Sequence, residues 1–177
     1  RTVVILKPAQ EALPRSGKRR VVIAGGGWGG LTAARYVRQL VPDLEVIVLD
    51  RNPFFWSCPM SNKWLIDVVN TDFLAHSYLP AAKKYGYHFI QTEIGDIDRA
   101  SKRVYTSQGF VSYDWLILAG GIRNNYEAWF GNDWKTVEYT QKAFPSAYIP
   151  TAEHAVLKNK IQNFKPSTDE VGRAASP

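Results

Sequence analysis

A glycine-rich turn between an apolar run and a helical pattern limits the possible folds of this chain more than any other feature. Residues 21–24 form a short, continuous apolar run rich in β-branched residues, as expected of a parallel strand buried on both faces. Gly25, Gly27 and Gly30 follow directly in the spacing Gly-x-Gly-x-x-Gly. Between a strand and a helix, the first glycine allows a tight turn and the second lets the backbone approach a pyrophosphate. The third lets helix and strand pack closely.

An acidic residue at the end of the next strand strengthens this interpretation. Residues 31–40 have the spacing of an amphipathic helix, and residues 46–49 form a second buried strand that ends at Asp50. Strand, turn, helix and strand make one βαβ unit. We expect a pyrophosphate at the helix N-terminus and the Asp50 carboxylate on the adenosine ribose hydroxyls, where it disfavours a 2′-phosphate. The alternative is a glycine-rich turn in an unrelated α/β protein, with Asp50 as a strand-end cap.

The remaining patterns predict an α/β domain. Strands are expected at residues 88–92 and 113–119, a hairpin at residues 93–98 and 103–106, and helices at residues 79–85 and 153–164. These elements predict a Rossmann-like dinucleotide-binding domain with a parallel sheet and a small antiparallel β insertion. We expect its boundaries at residues 19–164, after an extended arm at residues 1–18 and before a flexible tail or truncation stub at residues 165–177. Residues 51–75 form a long connection dense in aromatic residues.

Composition excludes several classes of function. The net charge is +6, but the basic residues are scattered, and the run Lys18, Arg19 and Arg20 is expected to be a solvated strand entrance. No aromatic residues alternate with these basic residues, so nucleic-acid binding is not expected. Cys58 is the single cysteine, which excludes an intrachain disulfide, and the histidines show no metal-ligand spacing. No apolar run is long enough for a transmembrane helix.

A second strand motif favours FAD over NAD at this site. Thr106, followed by the apolar strand at residues 113–118 and then by Ala119, Gly120 and Gly121, resembles the second motif of flavoproteins with two dinucleotide-binding domains. Gly120 replaces the threonine that is common in that motif. The resemblance implies that this strand end passes close to an FAD, while a plain strand–loop junction is the alternative. With Trp28 and Gly29 in the turn and Arg51 after the acid, these residues complete the predicted cofactor site.

The segment around Cys58 indicates a narrower family. Residues 55–62, with the sequence Phe-Trp-Ser-Cys-Pro-Met-Ser-Asn, closely resemble the segment of the flavocytochrome c sulfide dehydrogenase flavoprotein subunit that holds its flavin-linking cysteine. The resemblance implies a thioether between Cys58 and the 8α-methyl group of FAD. The alternative is that Cys58 is a small hydrophobic residue packed in a Pro-Met turn.

This resemblance covers residues 19–164, which correspond only to the opening segment of the family's flavoprotein subunit. In the full enzyme sulfide attacks a redox-active disulfide, and electrons pass through the flavin to a c-type cytochrome subunit. The cysteine pair lies outside the matching segment, so no catalytic residue is expected in this chain, and the chain is not expected to be active alone. The family is exported to the periplasm, which implies the same location here.

Three explanations for the short match stay open at this point. The chain is a fragment or a split subunit, completed by a second polypeptide in an electron-transfer complex. Alternatively, it is a truncated, non-catalytic homologue that serves as a structural or assembly subunit. A third alternative is a quinone-reducing relative, because sulfide:quinone oxidoreductases and type II NADH dehydrogenases share the same opening fold.

Overall fold

The computed structural model describes residues 7–147 and 152–165, which divide between two compact units. The first unit comprises the residues up to Trp56 together with Ala75–Ile122, and the second comprises Ser57–Leu74 together with the residues from Arg123 onward. The strands are β1 (Arg20–Ala24), β2 (Glu45–Asp50), β3 (Phe54–Trp56), β4 (Ala75–Ser77), β5 (His88–Gln91), β6 (Ile94–Asp98), β7 (Arg103–Thr106), β8 (Gly109–Ser112) and β9 (Trp115–Leu118). The helices are α1 (Trp28–Leu40), α2 (Ser61–Leu65), α3 (Thr71–Leu74), α4 (Tyr78–Tyr85), α5 (Glu127–Phe130), α6 (Trp134–Ala143) and α7 (Ala152–Gln162).

A parallel sheet forms the centre of the first unit. Its strand order is β5-β2-β1-β9, and every neighbouring pair is parallel. All five residues of β1 are buried, because the sheet is covered on both faces. On one face α1 and α4 cover the sheet. The expected Rossmann-like α/β fold is therefore confirmed. Because the strands are parallel, the carboxyl ends of β1, β2 and β9 lie on the same side of the sheet.

An antiparallel sheet covers the opposite face. Strands β6, β7 and β8 follow one another in order, so the expected antiparallel insertion is present with one strand more than the hairpin predicted. Val104 and Val111 from this sheet form one core cluster with Val22, Ile47 and Leu49 of the parallel strands. The sequence patterns do not predict β8, because its four residues carry no alternation of apolar and polar side chains. A short turn joins β8 to β7, with which it pairs in antiparallel orientation.

Part of the N-terminal arm belongs to this antiparallel layer. The Phe110 amide donates to the Gln10 carbonyl at 2.9 Å, and the Ala12 amide donates to the Phe110 carbonyl at 2.7 Å. The arm residues that precede position 7 lie outside the described part of the chain, as do residues 166–177 of the expected tail. Residues 7–18 thus lead into β1 along β8.

The second unit consists of short helices that the sequence patterns did not predict, together with α7, which they did. A buried carboxylate holds it together: Glu153 of α7 accepts hydrogen bonds from the Tyr126 hydroxyl at 2.6 Å and from the Ser146 amide at 2.9 Å. Burial and this carboxylate raise the pKa of Tyr126 to about 12. The buried His154 ring stacks on Trp64, with centroids 5.8 Å apart, which joins α7 to α2. No helix within the described ranges has the length and apolarity required to cross a bilayer.

A fully buried arginine at the start of β1 corrects part of the expectation for the basic run: Lys18 and Arg19 are exposed, but Arg20 is not. Arg20 has no exposed surface; its Nε donates to Glu45 at 2.6 Å, and its Nη1 donates to Glu11 at 3.1 Å. The same guanidinium also donates to the Leu13 and Pro14 carbonyls. Arg20 therefore joins the arm to the parallel sheet, which no local sequence pattern indicates.

Asp114, the residue immediately before β9, gives a pH-dependent contribution to stability. Its carboxylate accepts the Arg20 amide at 2.6 Å and the Arg15 guanidinium at 2.6 Å, and these bonds hold the pKa of Asp114 below its ordinary value. The stabilisation is complete above the unfolded pKa of about 3.9 and is lost as the pH falls through the lower folded pKa. We expect Asp114→Asn to lose less stability than the unaltered chain between about pH 4 and about pH 2. Urea unfolding at each pH tests this, and equal losses in both proteins would contradict it.

Candidate functional site

The glycine turn between β1 and α1 leaves no room for side chains at two of its three motif positions. Gly25 has φ +113°, and a Cβ there would lie 2.2 Å from the Ala119 carbonyl oxygen. A Cβ on Gly30 would lie 1.8 Å from the Gly25 carbonyl oxygen. These distances are far shorter than van der Waals contact, so glycine is required at both positions for the turn, α1 and β9 to pack together.

The middle glycine differs from its neighbours because it faces open space. A Cβ on Gly27 would have no atom within 4 Å, and its φ of −73° suits any residue. Gly27 caps α1, whose first amide groups have no partner within the helix. The space above Gly27, next to these amides and the positive end of the helix dipole, therefore suits an anion such as a pyrophosphate.

The Asp50 carboxylate is held in place by hydrogen bonds on both oxygens. Its Oδ2 accepts the Gly26 amide at 2.7 Å, and its Oδ1 accepts the Asn52 amide at 2.8 Å and the Asn52 side chain at 3.0 Å. The carboxylate is half-buried at the end of β2. A carboxylate accepts about four hydrogen bonds, so capacity remains for a ribose hydroxyl. Sequence reasoning identified Asp50 but missed Gly26 and Asn52 as the groups that orient it.

The end of β9 meets the same turn. The Ala119 amide donates to the Ala24 carbonyl at 2.8 Å, and the Gly25 amide donates to the Leu49 carbonyl at 2.8 Å. The ends of β1, β2 and β9 are thereby joined around the turn. Gly120 has open space at its Cβ position, as does Gly121, which has φ +70°. Both glycines are exposed beside the turn.

The other predicted site residues of the first unit lie around this turn. Trp28 is the first residue of α1, is 58% exposed and contacts Phe55 edge to face, with ring centroids 5.0 Å apart. A Cβ on Gly29 would make only an ordinary contact with Ala119, at 4.0 Å. Arg51 is exposed after β2. The structure thus brings the predicted glycines, Asp50 and the β9 end together, and it places Trp28 and Arg51 on the adjoining surface.

Cys58 belongs to the second unit. It begins a short 3₁₀ turn, Cys58–Met60, that leads into α2, and its carbonyl accepts the Ser61 hydroxyl at 2.7 Å. The residue is partly exposed. No group of three or more histidine, cysteine or acidic side chains placed to hold a metal ion occurs within the described ranges.

Bound FAD fits the residues present in the first unit. Gly25 and Gly30 occupy positions where a side chain would clash with the backbone. Open space lies above Gly27, where a pyrophosphate would approach. The preset Asp50 carboxylate lies at the strand end where a ribose hydroxyl needs an acceptor. Three independent geometric features thus match a dinucleotide.

Comparison with known proteins places this geometry in a family. The sequence profile of the pyridine nucleotide-disulphide oxidoreductases, whose members bind FAD, matches residues 19–157. The sulfide-quinone reductase of Aquifex aeolicus (strain VF5) is 27% identical over 161 residues, which are 90% of this chain and 35% of that protein.

Two solved structures extend the comparison. The sulfide:quinone oxidoreductase from Aquifex aeolicus aligns with a TM-score of 0.66 and 27% identity, over 81% of this chain and 32% of that one. An NAD-dependent persulfide reductase from A. fulgidus aligns with a TM-score of 0.56 and 25% identity, over 60% of this chain and 22% of that one. The chain therefore spans a third or less of the length of these solved relatives. By the match over most of its length, this chain belongs to the pyridine nucleotide-disulphide oxidoreductase family.

Proposed function

We propose that this chain is the FAD-binding portion of a flavoprotein oxidoreductase that acts on reduced sulfur. The observation that carries the proposal is the glycine turn, in which Gly25 and Gly30 exclude side chains while Gly27 faces open space. The sulfur donor is supported by the Aquifex aeolicus sulfide-quinone reductase and the persulfide reductase, whose names specify sulfide and persulfide chemistry. It is also supported by the resemblance of residues 55–62 to a sulfide dehydrogenase segment.

Each predicted site residue has a specific part in this proposal. Gly25 and Gly30 set the turn, Gly27 admits the pyrophosphate, and Asp50 accepts from the adenosine ribose. The remaining proposed cofactor contacts are Trp28, Gly29, Arg51, Ala119, Gly120 and Gly121. When bound, FAD supplies two-electron chemistry between a donor and an acceptor. The residues of this chain bind and orient the cofactor, and we assign no catalytic residue among them.

We further propose that Cys58 bonds covalently to the flavin and that the electron acceptor is a c-type cytochrome subunit in the periplasm. Both follow from the resemblance of the Cys58 segment. The partial exposure of Cys58 supports the link, because a reacting thiol must be accessible. In this proposal a second polypeptide, or another part of the same protein, supplies the redox-active cysteine pair.

A quinone acceptor is the second candidate. The observation that favours it is the relative with 90% coverage of this chain, which is a sulfide-quinone reductase. With the complete flavoprotein and sulfide as donor, reduction of a c-type cytochrome supports the first candidate. Reduction of a short-chain quinone without cytochrome reduction supports the second.

A visible spectrum before and after acid precipitation tests the flavin proposals. We expect the purified chain to be yellow, the colour to stay with the precipitate, and the peptide containing Cys58 to carry a mass increment equal to FAD. The matched variant Cys58→Ser is expected to release its flavin to the supernatant, because serine does not form the thioether.

Other outcomes of this experiment separate the alternatives. Flavin released from the unaltered chain would support FAD binding and overturn the covalent link. A colourless chain that remains colourless after incubation with FAD would overturn the flavoprotein proposal. That result would favour the non-catalytic structural subunit instead.

A further inference from the structure

Gly26 lies against a buried tyrosine, although the glycine motif does not require glycine at this position. A Cβ built on Gly26 would lie 2.8 Å from Cε1 of Tyr78 and 2.9 Å from both Cζ and the hydroxyl oxygen. The end of the Tyr78 ring is therefore packed directly against the backbone of the turn. Any side chain at position 26 would have to displace that ring.

Tyr78 cannot move away easily because three features hold it. The residue is only 3% exposed, and its ring stacks on Phe89 of β5 with centroids 4.3 Å apart and planes at 19°. Tyr78 is also the first residue of α4, whose N-terminus is capped by the Ser77 hydroxyl accepting the Leu79 amide. The ring therefore presents a rigid surface to Gly26.

The same contact reaches the Asp50 carboxylate through one amide group. Gly26 packs on Tyr78 and donates its amide to Asp50 Oδ2 at 2.7 Å. Burial, together with the nearby negative charge of Asp50, raises the pKa of Tyr78 well above its ordinary value. A tyrosine phenol, with an ordinary pKa of about 10, is neutral at physiological pH and does not repel the carboxylate.

We propose that Tyr78 is a positioning residue of the dinucleotide site, which fixes the Gly26 peptide and through it the orientation of Asp50. The proposal rests on the proposed FAD site for its functional consequence, while its structural part concerns the turn itself. Tyr78 acts from beneath the turn and is not assigned a contact with the cofactor. A binding site whose groups are already oriented binds its ligand more tightly, because less conformational entropy is lost on binding.

Three variants, each combined with Cys58→Ser so that FAD binds reversibly, test this role by FAD titration, followed by flavin fluorescence at a temperature where all are folded. We expect Tyr78→Leu to weaken FAD binding about tenfold and Tyr78→Phe, which keeps the ring, to stay within about threefold of the unaltered chain. The control is Tyr87→Leu, because Tyr87 is also a buried tyrosine, belongs to the core cluster against which Phe89 packs, and is not among the nearest neighbours of the turn glycines. Tyr87→Leu is expected to lower stability without a change in FAD affinity beyond about twofold.

Hydrogen exchange in the chain without cofactor provides the second measurement. Tyr78→Leu is expected to accelerate exchange of the Gly26 amide selectively, because the support beneath its bond to Asp50 is lost, whereas Tyr87→Leu is not. If neither the unaltered chain nor Tyr78→Leu binds FAD, but exchange of the Gly26 amide is selectively faster in Tyr78→Leu, the proposed function fails and the role of Tyr78 in the turn stands. Equal effects of the two leucine variants on both FAD affinity and Gly26 exchange would overturn the positioning role.

Discussion

Replacing Gly30 with alanine is expected to destabilise the chain by at least about 3 kcal/mol. The new Cβ would lie 1.8 Å from the Gly25 carbonyl oxygen, and Ile23 of β1 lies 3.3 Å away on the same side. Because the Gly25 carbonyl is part of the turn backbone and Ile23 is fully buried in β1, α1 must move away from the sheet. Urea unfolding followed by far-ultraviolet circular dichroism measures the loss.

The same substitution at Gly27 is the matched control. Its Cβ would meet no atom within 4 Å, so we expect Gly27→Ala to cost less than about 1 kcal/mol, mainly through the helix cap. With Cys58→Ser also present, so that FAD binds reversibly, FAD affinity should nevertheless fall at least about tenfold, because the methyl group occupies the space proposed for the pyrophosphate. An equal loss of stability in both variants would contradict this account of the turn. Unchanged FAD affinity in Gly27→Ala would contradict the proposed site.

Truncation of Arg20 to alanine is expected to cost about 3 to 5 kcal/mol. The substitution leaves Glu45 buried, with a side chain only 7% exposed, and removes its partner at 2.6 Å. It also removes the donors to the carbonyls of Leu13 and Pro14, so the arm should detach from β1. Chemical denaturation measures the stability, and limited proteolysis within residues 7–18 measures release of the arm.

Two controls separate the buried charge from charge in general. Lys142→Ala breaks an exposed pair with Glu138, whose side chains are 71% and 67% exposed, and should cost less than about 1 kcal/mol. The double variant Arg20→Met with Glu45→Leu removes both buried charges and should be more stable than Arg20→Ala. If Arg20→Ala were no more harmful than Lys142→Ala, the buried pair would not hold the arm.

Most of the dinucleotide turn could be predicted from local sequence. Gly30 is required by its approach to the Gly25 carbonyl within one strand–turn–helix unit, and such a constraint appears directly as glycine at fixed spacing. Gly25 is required by its φ of +113° and also by the Ala119 carbonyl, which comes from the distant end of β9. Asp50 was predicted for a similar reason, because its position follows from where a buried strand ends. The covalent role of Cys58 stays a prediction, since it depends on resemblance.

The elements that were missed depend on partners distant in the sequence. Strand β8 and helix α5 have only four residues each, so their stability comes from tertiary packing. Helix α6 does have an Asp133 cap, which accepts the Thr136 amide at 3.2 Å, but one cap alone predicts little.

Local sequence patterns are sufficient to predict the parallel α/β core, the glycine turn and the acid that ends β2, because each of them has a signal in residues adjacent along the chain. The burial of Arg20, with partners at Glu11 and Glu45, is evident only in the folded chain. The same holds for the packing of Tyr78, which lies 52 residues after Gly26, against the turn. Burial and steric contact between distant residues depend on how the sheet layers fold over one another, and no local pattern of residues contains that information.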